Sequence, residues 1–296
     1  MLPAIRSHNE KMNTAELLLQ QHTEFTHEER TVKGTHGDVI LSIFRPKGLT
    51  GQLPGVYFIH GGGIVIGTRF FAVNDILKTS RLYGMVCISV EYRLAPEHPY
   101  PVPVEDCYDG LKWVGANLAE LGIDPEKLLL AGASGGGNLA AACALLVRDR
   151  GGPKLRGQLL RYPMLDSRAQ TVSSKLYHDG AVWSGNSNNM AWKAYLGGKP
   201  ADMYSSPAHA TDLTGLPTSF VDCGGAEIFT DEDIAYAQLL SACGVQTELH
   251  IWPGAYHGFG AFCPQAKISL TAHAAQNSWV GRVMSLEERN LSEAKI

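Results

Sequence analysis

The sequence predicts an α/β fold with a mostly parallel central sheet flanked by helices. Short, almost continuously apolar segments recur along the chain, and longer segments with apolar residues at helical spacing separate them. Strands that are apolar on both faces are typical of a parallel sheet that helices cover on both sides. The chain has 296 residues, of which 45% are hydrophobic, and it is long enough to bury one large core. We therefore expect a single domain that spans residues 1–296.

The first half of the chain alternates between the two kinds of segment. Residues 11–22 carry leucines among polar residues and predict an N-terminal helix. Two β-branched and aromatic runs then predict strands, and a segment rich in Gly and Pro separates them as a turn. Helices and buried strands follow in turn. The predicted strands of this half are 39–44, 56–60, 85–90, 127–131 and 155–162, and the predicted helices are 11–22, 74–83, 104–121 and 135–150.

The alternation stops at about residues 167–206, in a segment rich in Ser, Asn and aromatic residues. We expect this segment and about residues 1–30 to form a small helical cap over a substrate pocket, and an ordinary surface insertion is the alternative. The aromatic residues expected to line the pocket are Tyr177, Trp183 and Trp192. The alternation then resumes. The remaining predicted elements are helices 188–196, 231–243 and 267–283 and strands 218–223 and 247–252.

The composition excludes several classes of partner. A net charge of −4 with 18% charged residues gives no basic surface for nucleic acid, and no run of Lys or Arg is dense enough to hold a membrane surface. Residues 128–147 are uncharged, but glycines, Ser134 and Asn138 interrupt them, so we expect no stable membrane insertion. The N-terminus has no apolar signal segment, and a cytoplasmic location is the default expectation. A small-molecule substrate is expected.

Ser134 lies where an apolar strand-like run meets a small-residue helix-like run. The segment Gly132-Ala133-Ser134-Gly135-Gly136 places the serine between glycines at that junction, which is the context that a nucleophile elbow requires. Such a turn strains the serine backbone and crowds its neighbours, so glycines stand where larger side chains would collide. A flexible glycine turn is the alternative, because the five-residue pattern alone occurs by chance. We predict that Ser134 is a catalytic nucleophile.

A second glycine-rich segment, His60-Gly61-Gly62-Gly63, follows another apolar run at the place where an oxyanion-hole loop belongs. Backbone N–H groups must approach the negative oxygen of a tetrahedral intermediate with no Cβ in between, which suits glycine. We therefore predict that the N–H groups of Gly62, Gly63 and Gly135 form an oxyanion hole. A phosphate-binding loop fits poorly, because neither a Lys-Ser/Thr pair nor a G-x-G-x-x-G motif accompanies these glycines.

These motifs together resemble the hormone-sensitive-lipase-like carboxylesterases of the α/β-hydrolase fold. The matching segments run along nearly the whole chain. They are His60-Gly61-Gly62-Gly63, Glu91-Tyr92-Arg93-Leu94-Ala95-Pro96-Glu97-His98-Pro99-Tyr100-Pro101, the segment around Ser134, Ser206-Pro207, Leu216-Pro217 and Tyr256-His257-Gly258-Phe259. The family commonly has Gly-Asp-Ser-Ala-Gly-Gly around the serine, and here Ala133 and Gly135 depart from it without removing a catalytic group. The resemblance implies an α/β hydrolase whose edge strands and last helix can pair two copies, so a homodimer is one expectation.

His257 is predicted as the general base. It follows a late predicted strand, lies downstream of the candidate acids and sits in a turn-forming segment, which is the chain order serine, acid, histidine of this fold. His250 lies within a predicted strand and His273 within the last predicted helix, so neither is placed to reach a serine on a turn. A buried, hydrogen-bonded histidine is the alternative role.

Glu227 is predicted as the acid of the triad, with Asp231 as the runner-up. Glu227 stands where the resembling family has the first aspartate of its Asp-Pro-Leu-x-Asp segment. Asp231 suits the first turn of the next helix, where a carboxylate meets free N–H groups. The run Asp231-Glu232-Asp233 could suggest a metal, but adjacent carboxylates at a helix start are more often capping and solvated charge. We therefore expect no metal and no cofactor.

The expected function is hydrolysis of a small, short-acyl carboxylic ester through an acyl-enzyme. His257 would take the proton of Ser134 as the serine oxygen attacks the ester carbonyl. Two alternatives stay open. The same triad could serve a specialised natural-product tailoring hydrolase that cleaves an amide or lactone or performs elimination or acyl transfer. The scaffold could also be a non-catalytic ligand receptor, which usually arises by loss of a triad member.

Overall fold

Eight strands form one sheet within residues 2–179 and 182–289, the part of the chain that this computed structural model describes. Their order across the sheet is β1-β2-β4-β3-β5-β6-β7-β8. The strands are β1 Phe25–Gly34, β2 Gly37–Pro46, β3 Leu53–Ile59, β4 Val86–Glu91, β5 Ile123–Ala133, β6 Gly157–Arg161, β7 Ser219–Gly224 and β8 Thr247–Trp252. The pairs β4–β3, β3–β5, β5–β6, β6–β7 and β7–β8 are parallel. The pairs β1–β2 and β2–β4 are antiparallel. The predicted mostly parallel sheet is confirmed.

The strand order places two loops side by side. The chain crosses from β3 to β4 on one side and returns to β5 on the other, so β3 lies between them. Open parallel sheets bind ligands at such a reversal, outside the carboxyl ends of the strands. The loop that begins at His60 follows β3, and Ser134 follows β5. The two predicted glycine motifs therefore meet at one edge of the sheet.

Helices cover both faces of the sheet, as the apolar strands require. Side chains alternate along β3, so that Tyr57 and Ile59 join the core under α4 and α5, whereas Val56 and Phe58 join the core under α3 and α10. The helices of the described part are α1 Leu2–Met12, α2 Ala15–Gln21, α3 Val73–Tyr83, α4 Val102–Ala116, α5 Gly135–Arg150, α6 Val172–Leu176, α7 Gly185–Leu196, α8 Thr230–Ala242, α9 Phe259–Phe262 and α10 Lys267–Met284.

The N-terminal region departs from the prediction. Residues 11–22 do not form one helix, because α1 ends at Met12 and the hydroxyl of Thr14 accepts the N–H of Leu17 at 3.3 Å as the N-cap of α2. The edge strand β1 was not predicted. Its side chains are mostly polar, and of its ten residues only Phe25 and Val32 are buried.

Both segments of the expected cap contain helices. The N-terminal segment contains α1 and α2, although its residues 25–30 belong to β1 of the central sheet. The second segment contains α6 and α7. The remaining residues of the predicted domain and cap, which are Met1, Gly180, Ala181 and 290–296, lie outside the described residues. None of the described helices is both long enough and apolar enough to cross a membrane.

Candidate active site

Ser134 lies in a strained turn between β5 and α5. Its backbone has φ 56° and ψ −121°, which is uncommon for a residue with a Cβ. Hydrogen bonds hold the turn, because the Ser134 N–H donates to the carbonyl of Arg161 at 2.9 Å and the Ser134 carbonyl accepts the N–H of Met164 at 3.1 Å. The strand, turn and helix meet at this residue as predicted, and the serine lines a cavity.

Glycines flank Ser134 because backbone atoms approach one another closely there. A Cβ on Gly132 would lie 2.2 Å from the carbonyl oxygen of Gly136. A Cβ on Gly136 would lie 2.2 Å from the carbonyl oxygen of Ile59, at the end of β3. Packed backbone at these distances leaves no room for a methyl group. The two glycines therefore let β3, β5 and α5 close around the turn.

Ser134, His257 and Glu227 form one chain of hydrogen bonds, although they come from three separate loops. His257, between β8 and α9, has its Nε2 atom 2.9 Å from the Oγ of Ser134. Its Nδ1 atom is hydrogen-bonded to Oε2 of Glu227, which follows β7. The other carboxylate oxygen of Glu227 accepts the N–H of Gly224 at 2.7 Å. All three side chains are buried, with residue exposures of 6% for Ser134, 8% for His257 and 3% for Glu227.

Aromatic residues fix the plane of the His257 ring. The rings of Tyr162 and Phe229 make T-shaped contacts with the imidazole. The distances between ring centroids are 4.9 Å for Tyr162 and 5.2 Å for Phe229. Edge-to-face contacts at these distances are favourable. Together with the Glu227 hydrogen bond, they orient the imidazole so that one nitrogen faces the carboxylate and the other faces the serine. This arrangement can move a proton from the hydroxyl to the ring.

The alternative acid, Asp231, has a different set of contacts. Its Oδ2 atom accepts the N–H of Ser173 at 2.7 Å, and its own N–H donates to the Oγ of Ser173 at 3.1 Å. Asp231 therefore joins the start of α8 to the start of α6. The structure brings Glu227, and not Asp231, to His257.

The prediction that the carboxylates beside Asp231 are solvated is wrong, because Glu232 is 3% exposed and Asp233 is fully buried. Oε1 of Glu232 accepts the N–H groups of Leu165 and Asp166 at 2.7 and 3.1 Å. Both oxygens of Asp233 lack a hydrogen-bond partner among the described residues. Burial raises the pKa of both carboxyl groups well above the ordinary values. Within residues 2–179 and 182–289, no group of three or more His, Cys, Asp or Glu side chains is arranged to hold a metal ion.

The three predicted oxyanion-hole glycines lie against one another. Gly62 and Gly63 have φ angles of 109° and 59°, and a Cβ on Gly135 would lie 2.9 Å from the backbone nitrogen of Gly63. Gly62, Gly63 and Gly135 donate no hydrogen bond from their N–H groups to any acceptor in the described part of the chain. Three N–H groups beside the serine can therefore receive a negatively charged oxygen.

The side chain of His60 supports the glycine loop and lies outside the hydrogen-bonded series of Ser134, His257 and Glu227. Its ring is buried and stacks on Tyr92 with 4.2 Å between centroids, and the Tyr92 hydroxyl donates to the His60 carbonyl at 2.8 Å. Burial lowers the pKa of His60 to about 4. Ala95 makes a second contact with the loop, because its N–H donates to the carbonyl of Ile64, the residue after Gly63, at 3.0 Å. The family-specific segment that contains Tyr92 and Ala95 thus shapes the glycine loop.

A cavity of about 340 Å³ opens beside Ser134 and His257. Of the three aromatic residues predicted to line it, Trp183 does so, and a Cβ on Gly63 would lie 2.3 Å from the Trp183 ring. Tyr177 and Trp192 do not line this cavity. Trp192 is 3% exposed and packs with the buried core, and Tyr177 packs against the same core. The expectation that Tyr177 and Trp192 line the pocket is therefore corrected. Aromatic residues occur in buried cores as well as in pockets, so their residue type alone did not distinguish the two.

Sequence reasoning missed four residues that line the cavity with polar side chains. Tyr162 ends the predicted strand 155–162, and its place beside the strand of Ser134 could have identified it once the sheet order was known. Asn74 and Asp75 begin a predicted helix soon after the glycine loop. Asn13 carries no sequence signal, since it reaches the cavity only through the packing of the N-terminal segment.

Comparison with known proteins places the chain among hydrolases. A family model of the alpha/beta hydrolase fold matches residues 56–261. The carboxylesterase NlhH of Mycobacterium tuberculosis (strain CDC 1551 / Oshkosh) is 37% identical over 247 residues, which cover 79% of this chain and 76% of that protein. The esterase LipI of Mycobacterium tuberculosis (strain ATCC 25618 / H37Rv) is 33% identical over 246 residues, which cover 80% of this chain and 76% of that protein.

Solved structures agree over almost the full length. A bacterial heroin esterase superposes with a TM-score of 0.90 at 34% sequence identity, covering 96% of this chain and 92% of that one. The esterase LipW from Mycobacterium marinum superposes with a TM-score of 0.89 at 33% identity, covering 95% of this chain and 90% of that one.

Proposed function

The chain belongs to the hormone-sensitive-lipase-like family of α/β hydrolases and is an esterase, and we propose that it cleaves small, short-acyl carboxylic esters through an acyl-enzyme on Ser134. The observation that carries the proposal is the hydrogen-bonded series from Ser134 Oγ through His257 to Glu227. A serine hydroxyl is a weak nucleophile at neutral pH and needs such a base, and the base needs a carboxylate to fix its tautomer.

The first half of the reaction forms the acyl-enzyme. Nε2 of His257 accepts the hydroxyl proton while Oγ of Ser134 bonds to the ester carbonyl carbon, whose oxygen becomes negatively charged. The N–H groups of Gly62, Gly63 and Gly135 donate to that oxygen. The tetrahedral intermediate then expels the alcohol oxygen, which takes the proton from Nε2. Glu227 stabilises the imidazolium during these steps without accepting the proton itself.

The second half returns the free enzyme. Nε2 of His257 accepts a proton from a water molecule, and the water oxygen bonds to the acyl carbon. The same three N–H groups stabilise the second oxyanion. The intermediate expels Oγ of Ser134, which regains its proton from His257, and the carboxylic acid leaves. No metal or cofactor enters this scheme.

The preference for small substrates rests on the cavity. A volume of about 340 Å³ is at the lower end of the range of ligand pockets. Asn13, Val182 and Trp183 line it from the two segments that we propose as the cap, about residues 1–30 and 167–206. A long acyl chain would have to displace them. We therefore expect p-nitrophenyl butanoate to be cleaved faster than the dodecanoate, and faster cleavage of the dodecanoate would contradict a small-substrate site.

The chemical proposal is tested by replacing Ser134. Ser134→Ala should lower kcat for p-nitrophenyl butanoate by at least about 1,000-fold and abolish covalent labelling by a fluorophosphonate. Ser241→Ala is the matched control, because Ser241 is exposed on α8, and it should retain both properties. Turnover by Ser134→Ala within tenfold of the unmodified enzyme would overturn the mechanism. The cytoplasmic location and the homodimer stay predictions from the sequence.

A further inference from the structure

Part of the lining of the active-site cavity consists of Asn13, Asn74 and Asp75, which we call the polar wall. Asn13, Asn74 and Asp75 line the same cavity as Ser134 and His257, and most of the remaining lining is apolar. Asn13 comes from the link between α1 and α2, whereas Asn74 and Asp75 lie in the first turn of α3. The mechanism of ester cleavage uses none of these three side chains. Their presence in the substrate cavity therefore bears on which ester is bound.

The two asparagines each have hydrogen-bonding capacity left over. The Oδ1 atom of Asn74 is 2.6 Å from Nε2 of His22, and its amide NH₂ group meets no acceptor among the described residues. The Nδ2 atom of Asn13 donates to the carbonyl of Asn9 at 2.9 Å, and its Oδ1 atom accepts from no donor in the described part of the chain. The cavity wall thus offers one donor group and one acceptor atom.

Asp75 adds further acceptor capacity, but little net charge. Its oxygens lie 3.0 Å from Arg161 and 3.1 Å from Lys78, which leaves further lone-pair sites on the carboxylate. Burial raises the pKa of Asp75, but Arg161, His273 and Lys78 more than offset this and lower it below the ordinary value. The carboxylate is therefore ionised and balanced by buried Arg161. Neither a cation nor an anion on the substrate would find an uncompensated partner there.

We propose that Asn13, Asn74 and Asp75 bind a neutral hydroxyl group of the substrate, so that the enzyme prefers hydroxyl-bearing esters to their alkyl counterparts. This inference rests on the proposed esterase function. A hydroxyl both donates and accepts, so it can receive a hydrogen bond from the Asn74 amide while it donates to Asn13 or Asp75. An alkyl chain in the same place would displace water from these groups and leave them unpaired, which sites built for hydroxyl groups use for discrimination.

The test compares matched esters by titrating the acid released at constant pH. One pair, methyl butanoate and methyl 3-hydroxybutanoate, places the hydroxyl on the acyl side, and the other pair, butyl acetate and 4-hydroxybutyl acetate, places it on the alcohol side. The expected result is a kcat/KM about tenfold higher for the hydroxyl ester in at least one pair, the effect of about one hydrogen bond. Acetylcholine, which carries a cation, should gain nothing over butyl acetate.

Substitutions in the polar wall then test whether the preference for hydroxyl esters depends on these residues. Asn74→Leu and Asn13→Leu should each reduce the preference to about twofold or less, largely by slowing the hydroxyl ester. Asn189→Leu makes the same substitution at an exposed position on α7 and should leave the ratio unchanged. Asn74→Leu also removes a partner of buried His22, so Asn13→Leu gives a second measurement at a residue whose side chain, among the described residues, bonds only to the nearby carbonyl of Asn9. Fluorophosphonate labelling of Ser134 shows that each variant has folded.

The outcomes separate the two proposals. Equal rates within both ester pairs, or a hydroxyl preference that survives both cavity substitutions, would overturn the role of the polar wall while leaving ester hydrolysis intact. A preference for acetylcholine over the hydroxyl esters would overturn it as well, because the wall would then recognise charge. Failure of the unmodified enzyme to cleave any ester or to label at Ser134 would overturn the proposed function itself.

Discussion

Replacing Glu227 by glutamine should hold His257 in the wrong tautomer. The buried N–H of Gly224 needs an acceptor, and Oε1 of Glu227 now fills that role at 2.7 Å. In the glutamine variant, the single amide oxygen would face Gly224, so the amide NH₂ would face Nδ1 of His257. Since NH₂ only donates, Nδ1 would have to accept and the ring proton would move to Nε2. Nε2 could then no longer take the proton of Ser134.

The magnitude follows from the loss of the base. A triad whose histidine is held in the wrong tautomer loses about 10,000-fold in kcat, which corresponds to about 5 kcal/mol of transition-state stabilisation. The overall fold should be retained, because the variant is isosteric and keeps the hydrogen bond from Gly224. We therefore expect a variant that unfolds in urea close to the unmodified protein but is almost inactive.

The assay is steady-state hydrolysis of p-nitrophenyl butanoate, with Asp231→Asn as the matched control. The control changes an equally charged residue four positions away, and its asparagine oxygen can still accept the N–H of Ser173. Its kcat should stay within about threefold of the unmodified enzyme. The reasoning fails if Glu227→Gln keeps more than a tenth of the activity, or if Asp231→Asn loses as much as Glu227→Gln.

Three further changes test the packing and charge of the site. Gly136→Ala places a Cβ 2.2 Å from the carbonyl oxygen of Ile59 and should lower the free energy of unfolding in urea by about 3 kcal/mol or more. Arg161→Met removes a fully buried partner of Asp75 and should cost about 3–5 kcal/mol in the same measurement. Burial raises the pKa of Asp233, so the folded protein keeps a proton that the unfolded chain loses above about pH 4, and stability falls as the pH rises. Asp233→Asn should therefore lose less unfolding free energy than the unmodified protein between about pH 5 and pH 8.

Controls for these changes lie elsewhere in the chain. Gly198 has a φ of 83°, and no atom lies within 4 Å of the position that a Cβ would occupy there, so Gly198→Ala should cost only about 1 kcal/mol. Lys154→Ala breaks an exposed pair with Glu126 and should cost less than about 1 kcal/mol. Equal losses for Gly136→Ala and Gly198→Ala, or for Arg161→Met and Lys154→Ala, would contradict the packing and burial arguments. An unchanged pH dependence in Asp233→Asn would contradict a raised pKa.

Local sequence was sufficient for the parts of the site that depend on local backbone. The turn at Ser134 and the loop at Gly62 need glycines at fixed offsets from a strand end, and both requirements are visible within a few residues. The buried parallel strands were equally visible, because strands covered on both faces are apolar throughout. The edge strand β1 was missed, since most of its side chains face solvent and its polar residues resemble a loop.

The burial of polar side chains could not be predicted from local sequence patterns. Asp231, Glu232 and Asp233 are adjacent in sequence, yet Asp231 joins two helices, Glu232 accepts two backbone N–H groups and Asp233 is buried without a partner in the described part of the chain. These differences arise from where α8 packs, and helix periodicity alone does not tell which neighbour each face meets. Local sequence likewise does not tell which carboxylate meets His257, so only the family pattern favours Glu227 over Asp231 as the acid of the triad.

The type of reaction can therefore be predicted from the sequence more readily than the preferred substrate. Proton transfer between His257 and Ser134 needs a small set of groups on short strand-end loops, so the type of chemistry can be inferred from motifs. Asn13, Asn74 and Asp75 line one cavity, and buried Arg161 is hydrogen-bonded to Asp75, although Asn13, Asn74 and Arg161 are far apart in the chain. The substrate preference that we propose therefore depends on long-range packing, and exchange of the wall residues should alter specificity while the chemistry at Ser134 persists.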